Sequence, residues 1–107
     1  MIYELPLQKF PEGTTDQVVS ASIENSSYVF YFQNNVIEST LFLTCYGANK
    51  ETVLFGSYRC VLNSYINKID YGFPYLVYFL NSTNNSYNKI TFDTLNNGVK
   101  MYVKSRA

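Results

Sequence analysis

The run Val18-Val19-Ser20-Ala21-Ser22-Ile23-Glu24, the break Asn25-Ser26-Ser27 and the run Tyr28-Val29-Phe30-Tyr31-Phe32-Gln33 decide the fold class. In the first run Val19, Ala21 and Ile23 alternate with Ser20, Ser22 and Glu24. A period of two puts the apolar side chains on one face of a strand and the polar ones on the other. The second run is apolar on both faces and built from aromatic and β-branched residues, which favour strands. Two such runs joined by a short polar break predict a β-hairpin. Asn34-Asn35 breaks the chain again.

The same pattern continues on both sides. Thr40 to Tyr46 places Leu41, Leu43 and Cys45 on one face, and Gly47-Ala48-Asn49-Lys50 is its turn. Thr52 to Phe55 pairs back, and Gly56 either ends that run or marks a bulge. Leu62, Ile66 and Ile69 carry a weak helical period, which suggests a short helical turn near Asn63–Asn67. Tyr71-Gly72-Phe73-Pro74 turns into Tyr75–Leu80, a second strand apolar on both faces. Asn81 to Asn88 is a polar loop, Ile90-Thr91-Phe92 is brief, and Asn96-Asn97-Gly98 is a turn suited to positive φ. Val99, Met101 and Val103 alternate with Lys100, Tyr102 and Lys104 in a last strand. At the other end, Ile2 to Leu7 alternates but meets Pro6 and then Pro11. Proline donates no ladder hydrogen bond, so an edge strand or extended arm is expected there.

Short strands with turn signals every eight to twelve residues or so predict an all-β fold, a small antiparallel β-sandwich or partly open barrel. A chain of 107 residues fits one domain over 1–107. Residues 1–12 would be a proline-bearing N-terminal arm and 105–107 a frayed C-terminal tail.

Composition narrows the function. Charged residues make up 15%, against about 25% in an average soluble chain, so Asn, Ser, Thr and 11 Tyr must supply the polar surface. Tyrosine suits an interface, since a rigid ring and a hydroxyl are ordered at little entropic cost; it also simply favours strands. Eight basic and eight acidic residues leave zero net charge and no basic patch, so nucleic-acid recognition is not expected. The opening Met1–Pro6 lacks the basic start and apolar run of a secretory leader. Tyr28–Phe32 and Tyr75–Leu80 are too short to span a bilayer, so no membrane role is expected.

Catalytic chemistry finds little support. There is no histidine, the commonest general base and transition-metal ligand. Cys45 and Cys60 sit in strand-like segments, as buried free thiols or as one disulfide, and two cysteines alone make no structural zinc site. The acidic residues are scattered, mostly at turns, where such residues ordinarily cap or solvate. No catalytic residue, metal site or cofactor is expected. What stands out instead is the pair of charge-free strands Tyr28–Phe32 and Tyr75–Leu80. Such strands are either central and covered within the fold, or lie at an edge that a neighbouring subunit must cover.

The chain also resembles the small baseplate plug proteins of contractile phage tails, of cyanophage type. The resemblance rests on Leu5-Pro6-Leu7 with Phe10-Pro11, the hairpin Val18–Glu24 with Tyr28–Gln33, and Thr40–Tyr46 with its Gly47-Ala48-Asn49 turn. It continues through Val53-Leu54-Phe55-Gly56, Val61-Leu62, Gly72 with Tyr75–Leu80, Phe92-Asp93-Thr94-Leu95-Asn96 and Val99-Lys100-Met101-Tyr102-Val103. Asn96 stands where the family usually has glycine. The resemblance implies a structural subunit that seals or braces the hub/tube junction of the baseplate. It implies partners among tail hub, tube or other baseplate proteins, several copies in a symmetric assembly, and residence in a virion or tail-like particle assembled in the host bacterial cytoplasm. It brings no catalytic residues. The interface candidates are Ile2, Tyr3, Leu5, Pro6, Leu7, Phe10 and Pro11 of the arm, Tyr87 of the polar loop, and Tyr102. The alternative is a small carbohydrate- or surface-binding β-sandwich module of adhesin or tail-fibre type, although a chain without tryptophan is poorly equipped for sugar stacking.

Overall fold

The computed structural model describes residues 2–5, 15–35, 37, 39–69, 72–82, 89–92, 94–95 and 98–106. They form seven strands: β1 (Ile2–Glu4), β2 (Asp16–Ile23), β3 (Ser26–Asn35), β4 (Thr40–Gly47), β5 (Val53–Arg59), β6 (Tyr75–Asn81) and β7 (Val99–Ser105). The strands make two antiparallel sheets, one of order β2-β3-β4-β5 and one of order β1-β7-β6. The fold is the predicted all-β sandwich, and it does not close into a barrel.

The four-stranded sheet is a meander built by local hairpins. Ile23 faces Ser26, so the β2–β3 loop is the two residues Glu24 and Asn25, with φ of 49° and 72°. Two positive φ values are what a tight hairpin turn of the correct twist requires. Its inner face carries Val19, Ala21 and Ile23, then Tyr28, Phe30 and Phe32, then Leu41, Leu43 and Cys45, then Phe55. The smaller sheet supplies Tyr3, Leu5, Tyr75, Val77, Phe79, Val99, Met101 and Val103. Phe73, in the crossover from β5 to β6, is fully buried between the layers. Its ring lies 5.0 Å from Tyr28, 5.3 Å from Phe55, 5.4 Å from Tyr75 and 6.1 Å from Phe30.

The two charge-free strands are covered in different ways. Strand β3 is central, paired on both sides. Strand β6 pairs with β7 on one side only, and its other edge is covered by the chain's own segment 62–67. There Asn63 N–H donates to Phe79 O and Ile66 N–H to Val77 O, each at 3.0 Å. The buried Asn67 amide completes the cover, donating to Tyr75 O and accepting from Val77 N–H, both at 2.9 Å. A side-chain amide thus stands in for a peptide group of the missing strand.

Ile2–Glu4 is an edge strand, the first of the two forms expected there, with Glu4 opposite Tyr102 and Leu5 N–H bonded to Met101 O at 3.0 Å. Two expectations are corrected here. The segment Asn63–Asn67 is not helical: Leu62 and Ile66 share a spacing because both touch the core from an irregular segment along β6. Nor is the C-terminus frayed at 105–106. Ser105 belongs to β7, and the Arg106 guanidinium donates to the carbonyls of Phe73 (2.8 Å), Asn67 (2.7 Å) and Lys68 (3.3 Å). That clamp ties the last residues to the crossover that holds Phe73.

Candidate interaction site

The outer face of the smaller sheet is the candidate. Alternation along β6 buries Tyr75, Val77 and Phe79 and turns Leu76, Tyr78 and Leu80 outward. On β7 the outward residues are Lys100, Tyr102 and Lys104, and on β1 they are Ile2 and Glu4. Tyr78 and Tyr102 face each other across the β6–β7 pair and stack, with centroids 5.5 Å apart and an interplanar angle of 18°. Tyr65, brought in by the segment that covers β6, packs edge-on against Tyr78 at 5.5 Å and 88°. The three rings form a ladder across the sheet. A shallow pocket of about 370 Å³ opens beside it, lined by Asn63, Ser64, Tyr65, Lys68, Tyr78 and Leu80.

Lysines border the ladder. Lys100 pairs with Glu4 at 2.9 Å, and hydrogen bonding to that carboxylate raises its pKa. Both side chains are more than two-fifths exposed, and pairs of that kind contribute little to stability. Burial is the main cause that pushes the Tyr78 hydroxyl up, so the ring stays neutral. The chemistry on offer is aromatic contact, hydroxyl hydrogen bonding and a mildly basic border.

The sequence-predicted interface residues separate into three groups. Ile2, 56% exposed, and Tyr102 lie on this outer face. Tyr3 and Leu5 point the other way: Leu5 is buried, and the Tyr3 hydroxyl donates to Glu24 Oε1 at 2.7 Å. Pro6, Leu7, Phe10, Pro11 and Tyr87 lie outside the described residues. Tyr65 and Tyr78 were not anticipated. The alternation that turns Tyr78 outward was present in the sequence, but a strand apolar on both faces hides it. Nothing local announces Tyr65, whose place depends on the segment along β6.

A family model described as cyanophage baseplate Pam3 plug gp18 matches residues 2–106. The chain belongs to that family. The plug family is a structural one, so the chain is a component of the phage baseplate, in the virion tail, and works by contact with other baseplate proteins. No curated protein matches the chain. The match runs through β1 and β7, the two strands that carry Ile2 and Tyr102.

Other reactive groups of this plug have structural duties. Cys45 and Cys60 are buried and unbridged. Burial pushes the Cys45 thiol up to about 12 and raises Cys60 as well, so both remain protonated and poorly nucleophilic. Glu24 accepts from Tyr3 at 2.7 Å and from Tyr75 at 2.9 Å. Those two hydroxyls, Tyr3 first, hold its carboxyl below the usual range. Glutamate is a poor choice for a left-handed turn position, and the double bond to the facing sheet is the compensation. Among the described residues no group of three or more His, Cys, Asp or Glu could hold a metal ion. Among them, too, no helix is long and apolar enough to cross a membrane.

Proposed function

We propose that this plug seals or braces the junction of hub and tube at the distal end of a contractile tail, in several copies of a symmetric assembly put together in the host bacterial cytoplasm. It would dock through the outer face of the β1-β7-β6 sheet, with Ile2 and Tyr102 joined by Tyr65 and Tyr78, and the arm residues Pro6, Leu7, Phe10 and Pro11 and the loop residue Tyr87 adding to the contact. Tyr3 and Leu5 take part only indirectly, by fixing β1 in place. The observation that carries this reading is the tyrosine ladder on a chain whose family is a baseplate plug. Aromatic residues with a polar tip are enriched where protein interfaces form.

The test is mass photometry of the purified chain mixed with hub and tube proteins of the same particle. A stable complex is expected, weakened at least tenfold by Tyr102→Ala together with Tyr78→Ala. A chain that stays alone with every component would end the proposal.

A glycan-binding module is the second reading, because a pocket lined by Tyr65, Tyr78 and polar groups could receive a sugar. Against it, Tyr78 and Tyr102 already spend one ring face on each other. Binding to a glycan panel with no affinity for tail components would favour it.

A further inference from the structure

The tyrosine ladder on the outer face of the smaller sheet has charge along both its borders, and only one border is balanced. On one side Lys100 is matched by Glu4 at 2.9 Å. On the other side Lys104 of β7 stands directly across from Leu76 of β6. Beyond β6 comes Lys68, one residue past the Asn67 amide that bonds Tyr75 O and Val77 N–H on either side of Leu76. Two strand spacings, roughly 10 Å between backbones, separate Lys104 from Lys68. Both lysines are exposed, and among the described residues neither has a carboxylate within ion-pair distance. Lys68, Lys100 and Lys104 against Glu4 leave the described part of this face a surplus of positive charge, on a chain that is neutral as a whole.

Lys68 also belongs to the pocket of about 370 Å³ beside the ladder. Tyr65, Tyr78 and Leu80 give that pocket an apolar wall, while the side chains of Asn63, Ser64 and Lys68 can all donate hydrogen bonds into it. Among the described residues no acidic side chain lines it. An apolar wall facing neutral donors and one cation suits a side chain with a hydrocarbon stem and a carboxylate tip, and hydrogen bonds to an ionised acceptor are the strong ones.

Two other occupants fit less well. A second copy docked face to face would bring two surpluses of the same sign together, and like charges set against each other cost affinity. Nucleic acid is held by a row of cations along its backbone and by free aromatic faces on which bases stack. Here two lysines are available, and Tyr78 and Tyr102 each spend one face on the other.

We infer that the outer face of the β1-β7-β6 sheet receives an acidic loop of a neighbouring baseplate protein, with one aspartate or glutamate entering the pocket against Lys68 and a second carboxylate meeting Lys104. The inference rests on the docking face proposed above and adds the chemistry of the partner.

Association of the plug with hub and tube proteins of the same particle, measured against salt and with charge variants, tests it. Binding should weaken about tenfold between about 0.05 and 0.5 M sodium chloride. Lys68→Glu and Lys104→Glu, both at exposed sites, should leave the free chain's melting unchanged and each weaken binding about tenfold. Glu4→Gln releases Lys100 and should strengthen binding about threefold, a gain that no folding defect produces. Carbodiimide, which joins amines to carboxylates in contact, should link Lys68 and Lys104 of the assembled plug to aspartate or glutamate of another baseplate protein. A Lys68→Glu/Lys104→Glu double variant that assembles as well as wild type overturns the inference and leaves the plug reading intact. Links from these lysines to a second copy alone, or a single-stranded oligonucleotide that competes with the tail proteins for this face, also overturn it. A chain that binds no tail component ends the plug reading and the inference together.

Discussion

Truncating Phe73 to alanine should unsettle the whole sandwich, although the residue lies in no strand. Its ring is fully buried and sits within 6.1 Å of four other aromatic centroids, three from the larger sheet and one from the smaller. Phe→Ala in a packed core costs about 3–5 kcal/mol, from lost transfer energy plus the cavity left behind. The upper part of that range applies here, because strands on both sides are held by their ladders and cannot collapse into the space. A domain of this size has about 5–15 kcal/mol of total stability, so the variant would keep a small margin or none. At about 4–8 °C per kcal/mol, its melting point should drop by more than about 12 °C. Phe73→Leu fills most of the volume and should cost less than half as much. Urea titration followed by tyrosine fluorescence gives both values, with the slope as a check that unfolding stays two-state. A loss below about 1 kcal/mol for the alanine variant, with an unchanged slope, would refute the claim that Phe73 joins the two layers.

Other perturbations follow from single contacts. Asn67→Leu keeps the volume but strands the Val77 N–H and Tyr75 C=O at a buried edge; at about 1–3 kcal/mol for each of the two unpaired groups it should cost about 2–6 kcal/mol by urea titration, and light scattering should show faster aggregation through the uncovered β6. Gly56→Ala should cost roughly 2 kcal/mol, since a Cβ there would meet Thr44 Cα at 2.7 Å and Leu43 O at 2.8 Å, both backbone, at a φ of +118°. Glu24 has its folded pKa depressed by Tyr3 and then Tyr75, so its contribution is present above the unfolded value of about 4.3 and is lost as pH falls through the lower folded one; melting curves should show wild type losing its advantage over Glu24→Gln in that acid window. Tyr75 has the opposite sign. Burial and then Glu24 push its hydroxyl up to about 12 from 10.0, so stability present below pH 10.0 should fall as pH rises towards 12, more steeply than in Tyr75→Phe.

The sheet pattern was legible because side-chain alternation is local. The β2–β3 hairpin, the inward trio of Leu41, Leu43 and Cys45, and the irregularity at Gly56 all follow from neighbours in sequence. The turn itself is displaced by one residue, Glu24-Asn25 in place of Asn25-Ser26-Ser27, because Glu24 takes a left-handed conformation that its residue type disfavours and gains two tyrosine hydroxyls from the other sheet. Asn67 and Arg106 were illegible for a related reason. Each bonds backbone groups far away in the chain, and nothing near them in sequence requires it. Tyr102 was found by alternation, whereas Tyr65 and Tyr78 needed the sheet order to bring them together.

Residue-level labelling of intact particles tests the central claim most directly. Purified tails and the free plug would be iodinated under matched conditions, and Tyr65, Tyr78 and Tyr102 read by peptide mass spectrometry. The account predicts that the chain is present in the particle and that these rings take up several-fold less label there than in the free chain. Equal labelling of the ladder in both states, or particles that contain no copy of the chain, would contradict it.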